Sequence, residues 1–547
     1  MASMSRRVWY LLGLEDATWP ERALFAVTMA AMLALAVAGF RRPTQLSTVL
    51  NGAFDWVLRY FGWWFILLGF VLLVLVLGVT WSRYGRLRIG GPDAEPEFDT
   101  FSWLSMVFTV GFGASILIWG VGEPVSIVQQ PPPEPWPVGG ASAKSLALAF
   151  MFVHEVFPGL AMWYLPVALA FGIIVYTRGI GEYKVSTMLA GIMPAGDHPV
   201  VLWAVDVAAI IATIGGIATT LGFSSQTMAA ILGGVFGLQS AWLTYGIFAA
   251  IGAVFLVDVW LGLRSGIRNA ARATMLLIGV AMAVLVVVGP TLFTFQLGLD
   301  ATGVWLNNVV RLMLYTDPTA AGHWAANWTG FWWAWWAAWS IFVGSFVARV
   351  SKGRTVREMF IVLVVAPGVL SWVQHTLIGG WVLAPDYVGP VGNALSANGI
   401  PAAIARALSI TPYGSVLALL FVLVIAGYII TSLDSAVFMI AAITLGDEDP
   451  NPRNRACWGL LLAAFGVMSL ELSSFEAIEA LSPVLALPFT LFLLVIVYAS
   501  YVAAREYARD RDDVAVSPGG LLSSRSSASD TDPEAGSGTD AAPTGDD

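Results

Sequence analysis

Twelve separate runs of apolar residues divide this chain, each near the roughly 20 residues that a helix needs to cross a bilayer. They fall near 22–40, 56–80, 102–122, 145–176, 200–222, 241–263, 272–296, 329–348, 359–383, 413–440, 456–471 and 482–503. In hydrocarbon every backbone N–H and C=O must find its partner within the protein, and runs of this length satisfy that as helices. Composition agrees: 58% of the 547 residues are apolar and 12% charged, against about 25% charged in soluble domains. The chain therefore reads as an all-α polytopic protein of the plasma membrane, not as several soluble domains. A net charge of -9 repels phosphate and argues against nucleic acid as a partner. The single Cys457 leaves no disulfide framework and no cysteine-ligated zinc site. His154, His198, His323 and His375 are scattered without metal-ligand spacing, and no catalytic constellation appears. The expectation is a non-enzyme without a cofactor.

Charge placement orders the spans. Cytoplasmic loops of membrane proteins carry the Lys/Arg excess. With Met1 inside, the even-numbered exits collect Arg83, Arg86 and Arg88, then Arg178 and Lys184, then Arg264, Arg268 and Arg272. Arg349, Lys352, Arg354, Arg357, Arg453 and Arg455 follow, and with the termini 21 of 27 basic residues share one side. Twelve spans with both termini cytoplasmic fit this pattern, although the central break in 145–176 leaves eleven to thirteen open. The division is a cytoplasmic N-terminus over 1–21, a transmembrane domain over 22–505 and a tail over 506–547. From Arg505 onward ten acidic residues face four basic ones within a Ser/Gly/Ala/Thr/Asp-rich stretch, so the tail is expected to be a disordered acidic coil. Three lysines against 24 arginines, together with that tail, suggest a halophilic prokaryote.

Two spans are unusual. The third contains Gly111, Gly113 and Ser115, then Trp119-Gly120 and Glu123-Pro124. Such glycines either unwind a helix beside a cavity, where transporters bind ions and substrate, or let helices pack closely. The eighth places six of 24 tryptophans within 327–340, and Trp332, Trp335, Trp336 and Trp339 share a helical face. Indole faces attract cations, desolvated quaternary ammonium groups above all; the competing reading is aromatic packing.

Together these segments resemble the betaine/choline/carnitine transporter family. The run from Trp328 through Phe342-Val343-Gly344 to Arg354-Thr355-Val356-Arg357-Glu358 is the family's signature. Gly111-x-Gly113 with Trp119-Gly120 and Glu123-Pro124 is a second match, and Thr431-Ser432-Leu433-Asp434-Ser435 a third. The resemblance covers roughly 15–505. It implies two extra N-terminal helices and then two inverted five-helix repeats, spans 3–7 at about 102–296 and spans 8–12 at about 329–503. It also implies alternating access, and commonly a homotrimer. By the same resemblance Trp335, Trp336 and Trp339 form an aromatic box for a small quaternary-ammonium solute, with Gly113, Ser115, Glu155 and Trp163 beside it. Sodium-coupled members bind one ion near the positions of Thr109 and Phe112 on the broken helix and of Tyr428, Thr431 and Ser432 on the tenth.

Three departures stand out. Ser115 replaces a common third glycine. Ile217 replaces a threonine one turn beyond Thr213, so a second sodium site is not expected. In the fourth span Glu155 and Leu160 stand where tryptophans are typical, and Trp163 where a tyrosine is. A carboxylate inside a span is costly and usually functional; Glu155 can meet a substrate cation, carry a proton, or pair structurally. The leading expectation is sodium-driven import of glycine betaine. The alternative is proton-coupled choline uptake or sodium-independent carnitine-type exchange on the same fold.

Overall fold

The computed structural model describes residues 2–133, 139–179, 181–189, 198–238, 240, 242–261, 266–319, 322–472 and 475–516. Helices dominate the described residues, and the one bridge between extended residues pairs Arg88 with Thr355. In chain order the helices are α1 (Ala2–Leu11), α2 (Trp19–Arg41), α3 (Pro43–Trp81), α4 (Thr100–Phe112), α5 (Ser115–Gln129), α6 (Ala143–Glu155), α7 (Gly159–Ala170), α8 (Pro199–Phe236), α9 (Leu243–Leu261) and α10 (Arg268–Val288). There follow α11 (Thr291–Met313), α12 (Phe331–Val350), α13 (Val356–Phe360), α14 (Ala366–Val382), α15 (Pro385–Ile410), α16 (Gly414–Leu445), α17 (Pro452–Glu471), α18 (Phe475–Glu479) and α19 (Leu481–Val516). The chain divides into a body, Met1–Ala504, and a terminal piece, Arg505–Asp547.

Each expected apolar run falls, for most of its described length, on helix. Among the described residues eight helices are long and apolar enough to cross a membrane, or nine when the bent pair α4–α5 counts as one span. The shortfall from twelve has physical causes. The fourth run is interrupted between α6 and α7, and α17 opens on the polar Pro-Arg-Asn-Arg; α9 carries the sixth run, of which Leu243–Val257 is apolar helix among the described residues. The seventh run, expected to continue to 296, stops at Val288, because Gly289-Pro290 ends α10 and proline cannot donate to the preceding turn. Two long helices have no counterpart among the expected spans: α11, and α15, which is interrupted where Gly399 adopts φ +77°. The tail departs from its reading as well. Residues 506–516 continue α19 as helix where coil was expected, and 517–547 lie outside the described residues.

The segments expected to share a side meet. Asn451 Nδ2 donates to Gly13 O at 2.8 Å, and Arg453 pairs with Glu15. Lys184 Nζ pairs with Glu21 at 3.0 Å and with Glu182; those bonds outweigh the opposing effect of partial burial and raise its pKa above the ordinary lysine value. Ile89 N donates to Arg354 O at 2.9 Å, and Gly353 N to Ile89 O at 2.8 Å. Arg349 Nη1 reaches Glu97 at 2.8 Å and Lys352 reaches Glu448 at 3.3 Å. The Arg272 guanidinium lies over the Phe101 ring at 5.7 Å. One face of the body is thus tied together by its own basic loops.

Candidate functional site

The third span breaks where its glycines predicted. α4 ends at Phe112, Gly113 takes φ +60°, and α5 leaves at 49° to α4. A β-carbon at Gly113 would lie 2.5 Å from Trp339 Cη2 and 3.4 Å from Ser432 Oγ. Both the positive φ and this close approach require glycine. The break therefore brings α12 and α16 to one point. Gly216 of α8 closes the other side of the same indole, its β-carbon position lying 2.7 Å from Trp339 Cδ1.

The tryptophan stripe is fully buried. Trp332 stacks on Trp335, with centroids 5.6 Å apart and planes 17° apart, and on Trp336 at 5.6 Å and 29°. Trp336 meets Trp339 edge-on at 6.4 Å. Its Nε1 donates to His154 O at 2.9 Å. On the α5/α8 side Trp335 meets Trp119 at 6.1 Å and Phe223 at 5.7 Å. On the α7 side Tyr164 stands edge-on to Trp336 at 5.7 Å while its hydroxyl donates to Gly111 O at 2.6 Å. Trp163 points elsewhere: it packs beside Gly69 of α3, whose β-carbon position is 3.4 Å from Trp163 Cζ2. The interruption at 156–158 resets the helical phase, so Tyr164 occupies the place that the sequence reading gave to Trp163. The Leu160 side chain lies outside the described residues.

The oxygens expected around an ion converge only in part. Ser432 Oγ donates to Thr109 O at 3.4 Å, linking α16 to the last turn of α4. Ser115 Oγ donates to Phe112 O at 2.6 Å, so the side chain that replaces a glycine occupies one expected ligand. Thr431 Oγ1 turns to its own helix, donating to Gly427 O and Tyr428 O, each at 3.0 Å. The buried Tyr428 ring lies 6.4 Å from that of Phe108, with Gln374 beside its hydroxyl. In α8 Thr213 Oγ1 donates to Ala209 O at 2.9 Å, and one turn on Ile217 is buried and apolar.

Glu155 ends α6, fully buried, with Oε2 3.3 Å from His375 Nε2. Ser371 Oγ donates to its carbonyl at 2.9 Å. The preceding residue forms a second imidazole–carboxylate pair, which spacing along the chain did not reveal: His154 Nδ1 is 2.6 Å from Glu123 Oε1, and His154 Nε2 is 3.0 Å from Thr329 Oγ1. All four titratable side chains are fully buried. On the face opposite the basic loops, a cavity of about 460 Å³ is lined by Asn51, Asp55, Trp119, Asn327, Trp328 and Glu479, among others.

Known proteins match this sequence. Residues 23–509 match the family model of BCCT, the betaine/carnitine/choline family transporters. An ectoine/hydroxyectoine transporter of Virgibacillus pantothenticus is 30% identical, over 86% of this chain and 94% of its own. A glycine betaine transporter of Bacillus subtilis is 29% identical over 89% and 95%. A glycine betaine/proline/choline/ectoine transporter of Vibrio parahaemolyticus is 31% identical over 83% and 81%. A solved Na+-coupled sialic acid symporter aligns over 88% of this chain and 87% of its own at 14% identity and a TM-score of 0.42, too distant to bear on function. A broken third span closed onto a tryptophan stripe, in a chain matched almost end to end, leads to one assignment: the chain belongs to the betaine/carnitine/choline family of membrane transporters, and it is not an enzyme.

Proposed function

We propose that the protein imports a quaternary-ammonium compatible solute, glycine betaine foremost, by sodium symport with alternating access. The observation that carries the reading is the junction at Gly113, where Trp339 and Ser432 meet the same helix break. A trimethylammonium group against Trp336 and Trp339 gains cation–π attraction of roughly 2 kcal/mol when desolvated. A substrate carboxylate suits the N-terminal end of α5, where the helix dipole is positive. Thr109 and Ser432 oxygens, one turn away, suit an alkali cation. The relatives' names span glycine betaine, proline, choline and ectoine; the indole faces favour a methylated ammonium group, and the α5 N-terminus a carboxylate beside it. We place the basic face in the cytoplasm, with both termini on that side, and propose a homotrimer as the working assembly.

Uptake of labelled glycine betaine into proteoliposomes tests the reading. It should rise with an inward sodium gradient, and Trp336→Ala should abolish it. Uptake indifferent to sodium at fixed pH defeats the coupling. The buried Glu155–His375 contact favours a second reading, proton-coupled choline uptake or sodium-independent exchange. Choline uptake unaffected by both a pH gradient and Glu155→Gln would remove the proton-coupled form.

A further inference from the structure

We propose that the Glu123–His154–Thr329 chain is a proton site that competes with the substrate cation, so that each solute entering the tryptophan box expels a proton. The inference rests on the aromatic-box reading and extends it to a pair that reading does not use.

The geometry is specific. At 2.6 Å, a proton lies between His154 Nδ1 and Glu123 Oε1 in either charge state. The second proton belongs at Nε2, facing Thr329 Oγ1 at 3.0 Å. A hydroxyl both donates and accepts, so Thr329 serves neutral imidazole as donor and imidazolium as acceptor. Taking up or losing the Nε2 proton reverses that bond without moving a heavy atom. Burial makes the count matter. With His154 neutral the pair carries one uncompensated negative charge, and with His154 protonated it carries none. The groups around it are Thr329, the Trp332 and Trp333 rings of α12 and the Phe150 ring, with Glu155 next in the chain and His375 of α14 paired to Glu155.

The same imidazole belongs to the indole stack. The His154 ring lies over Trp332 at 6.1 Å and 25°, and Trp332 lies over Trp336 at 5.6 Å. Protonated His154 is therefore a cation already placed on the π system that a quaternary ammonium would use. Two ring steps separate the charges by roughly 10 Å, and at an effective dielectric of about 20 their repulsion changes affinity on the order of tenfold. Linkage is reciprocal: what the proton does to solute binding, the solute does to proton binding. Thr329 adjoins Asn327 and Trp328, which line the cavity of about 460 Å³ on the outer side.

Calorimetric titration of the full-length protein with choline and with glycine betaine, at fixed pH and sodium, tests this in two buffers of different ionisation enthalpy. The observed binding enthalpy should differ between buffers in the sense of proton release. The dissociation constant should fall as pH rises, by about tenfold between plateaus. His154→Gln should bind solute with equal enthalpy in both buffers. Glu123→Gln, which keeps the imidazole but removes its counter-charge, should move the transition to lower pH; it decides the matter if His154→Gln does not fold. Binding with no buffer dependence in the unaltered protein overturns the proposal and leaves the box reading standing. Dependence that survives His154→Gln and vanishes in Glu155→Gln overturns it too. Failure of both solutes, and of carnitine and ectoine, to bind defeats the box reading and this inference together.

Discussion

At the scale of single residues, Ser115 stands where the family resemblance leads one to expect a glycine. Its hydroxyl holds the Phe112 carbonyl at 2.6 Å, and an intramolecular hydrogen bond contributes about 1 kcal/mol net. An ion that uses this carbonyl must first displace that bond. Ser115→Gly should therefore lower the sodium concentration for half-maximal uptake by about fivefold; an unchanged or raised value would free Phe112 from the ion site. The substitution itself was plain in the sequence, but its partner was not, because a hydroxyl at a helix break can face several carbonyls. Trp163 and Tyr164 show a similar limit. Both are adjacent aromatics, and choosing between them required helical phase carried across the interruption at 156–158, which linear spacing does not supply. Glu155 was legible as a costly buried charge, whereas His375 lies 220 positions away and Glu123 is 31 from His154, beyond any periodic rule.

At the scale of helices, close approach is the governing device. Gly113 and Gly216 clamp the Trp339 indole from α4–α5 and α8. Adding one methyl at Gly216 overpacks this contact, at a cost of about 1–3 kcal/mol. Gly216→Ala should lower the thermal unfolding midpoint in detergent and weaken solute binding, and an unaltered midpoint would mean that Trp339 has room to move. The sequence displayed the long apolar helices and the break at Gly113, since hydropathy and glycine both mark them. It concealed α11 and α15. α11 is mixed in polarity, with Gln296, Asp300, Asn307, Asn308 and Arg311 among its apolar residues, and α15 carries internal Pro390 and Pro401. Neither forms the continuous apolar run by which spans were recognised.

At the scale of the whole molecule, the body and the terminal piece are separate units. The body contains the tryptophan stripe, the helix break and both imidazole–carboxylate pairs. The terminal piece interleaves Arg505, Arg509 and Arg511 with Glu506, Asp510, Asp512 and Asp513, which leaves no basic stripe to hold on anionic lipid. Deleting 514–547 should leave uptake and its osmotic response unchanged, and loss of osmotic activation in that truncation would contradict the argument. Within the body, the stacked indoles also have an optical consequence. Trp335 and Trp336 each stack on Trp332 with centroids 5.6 Å apart, and the His154 ring lies over the same Trp332 indole. Chromophores so close share excitation, so their absorption and circular dichroism near 280–290 nm belong to the stack as a whole. A solute that wedges the rings apart changes that coupled signal directly, so the protein carries its own label at the proposed substrate site.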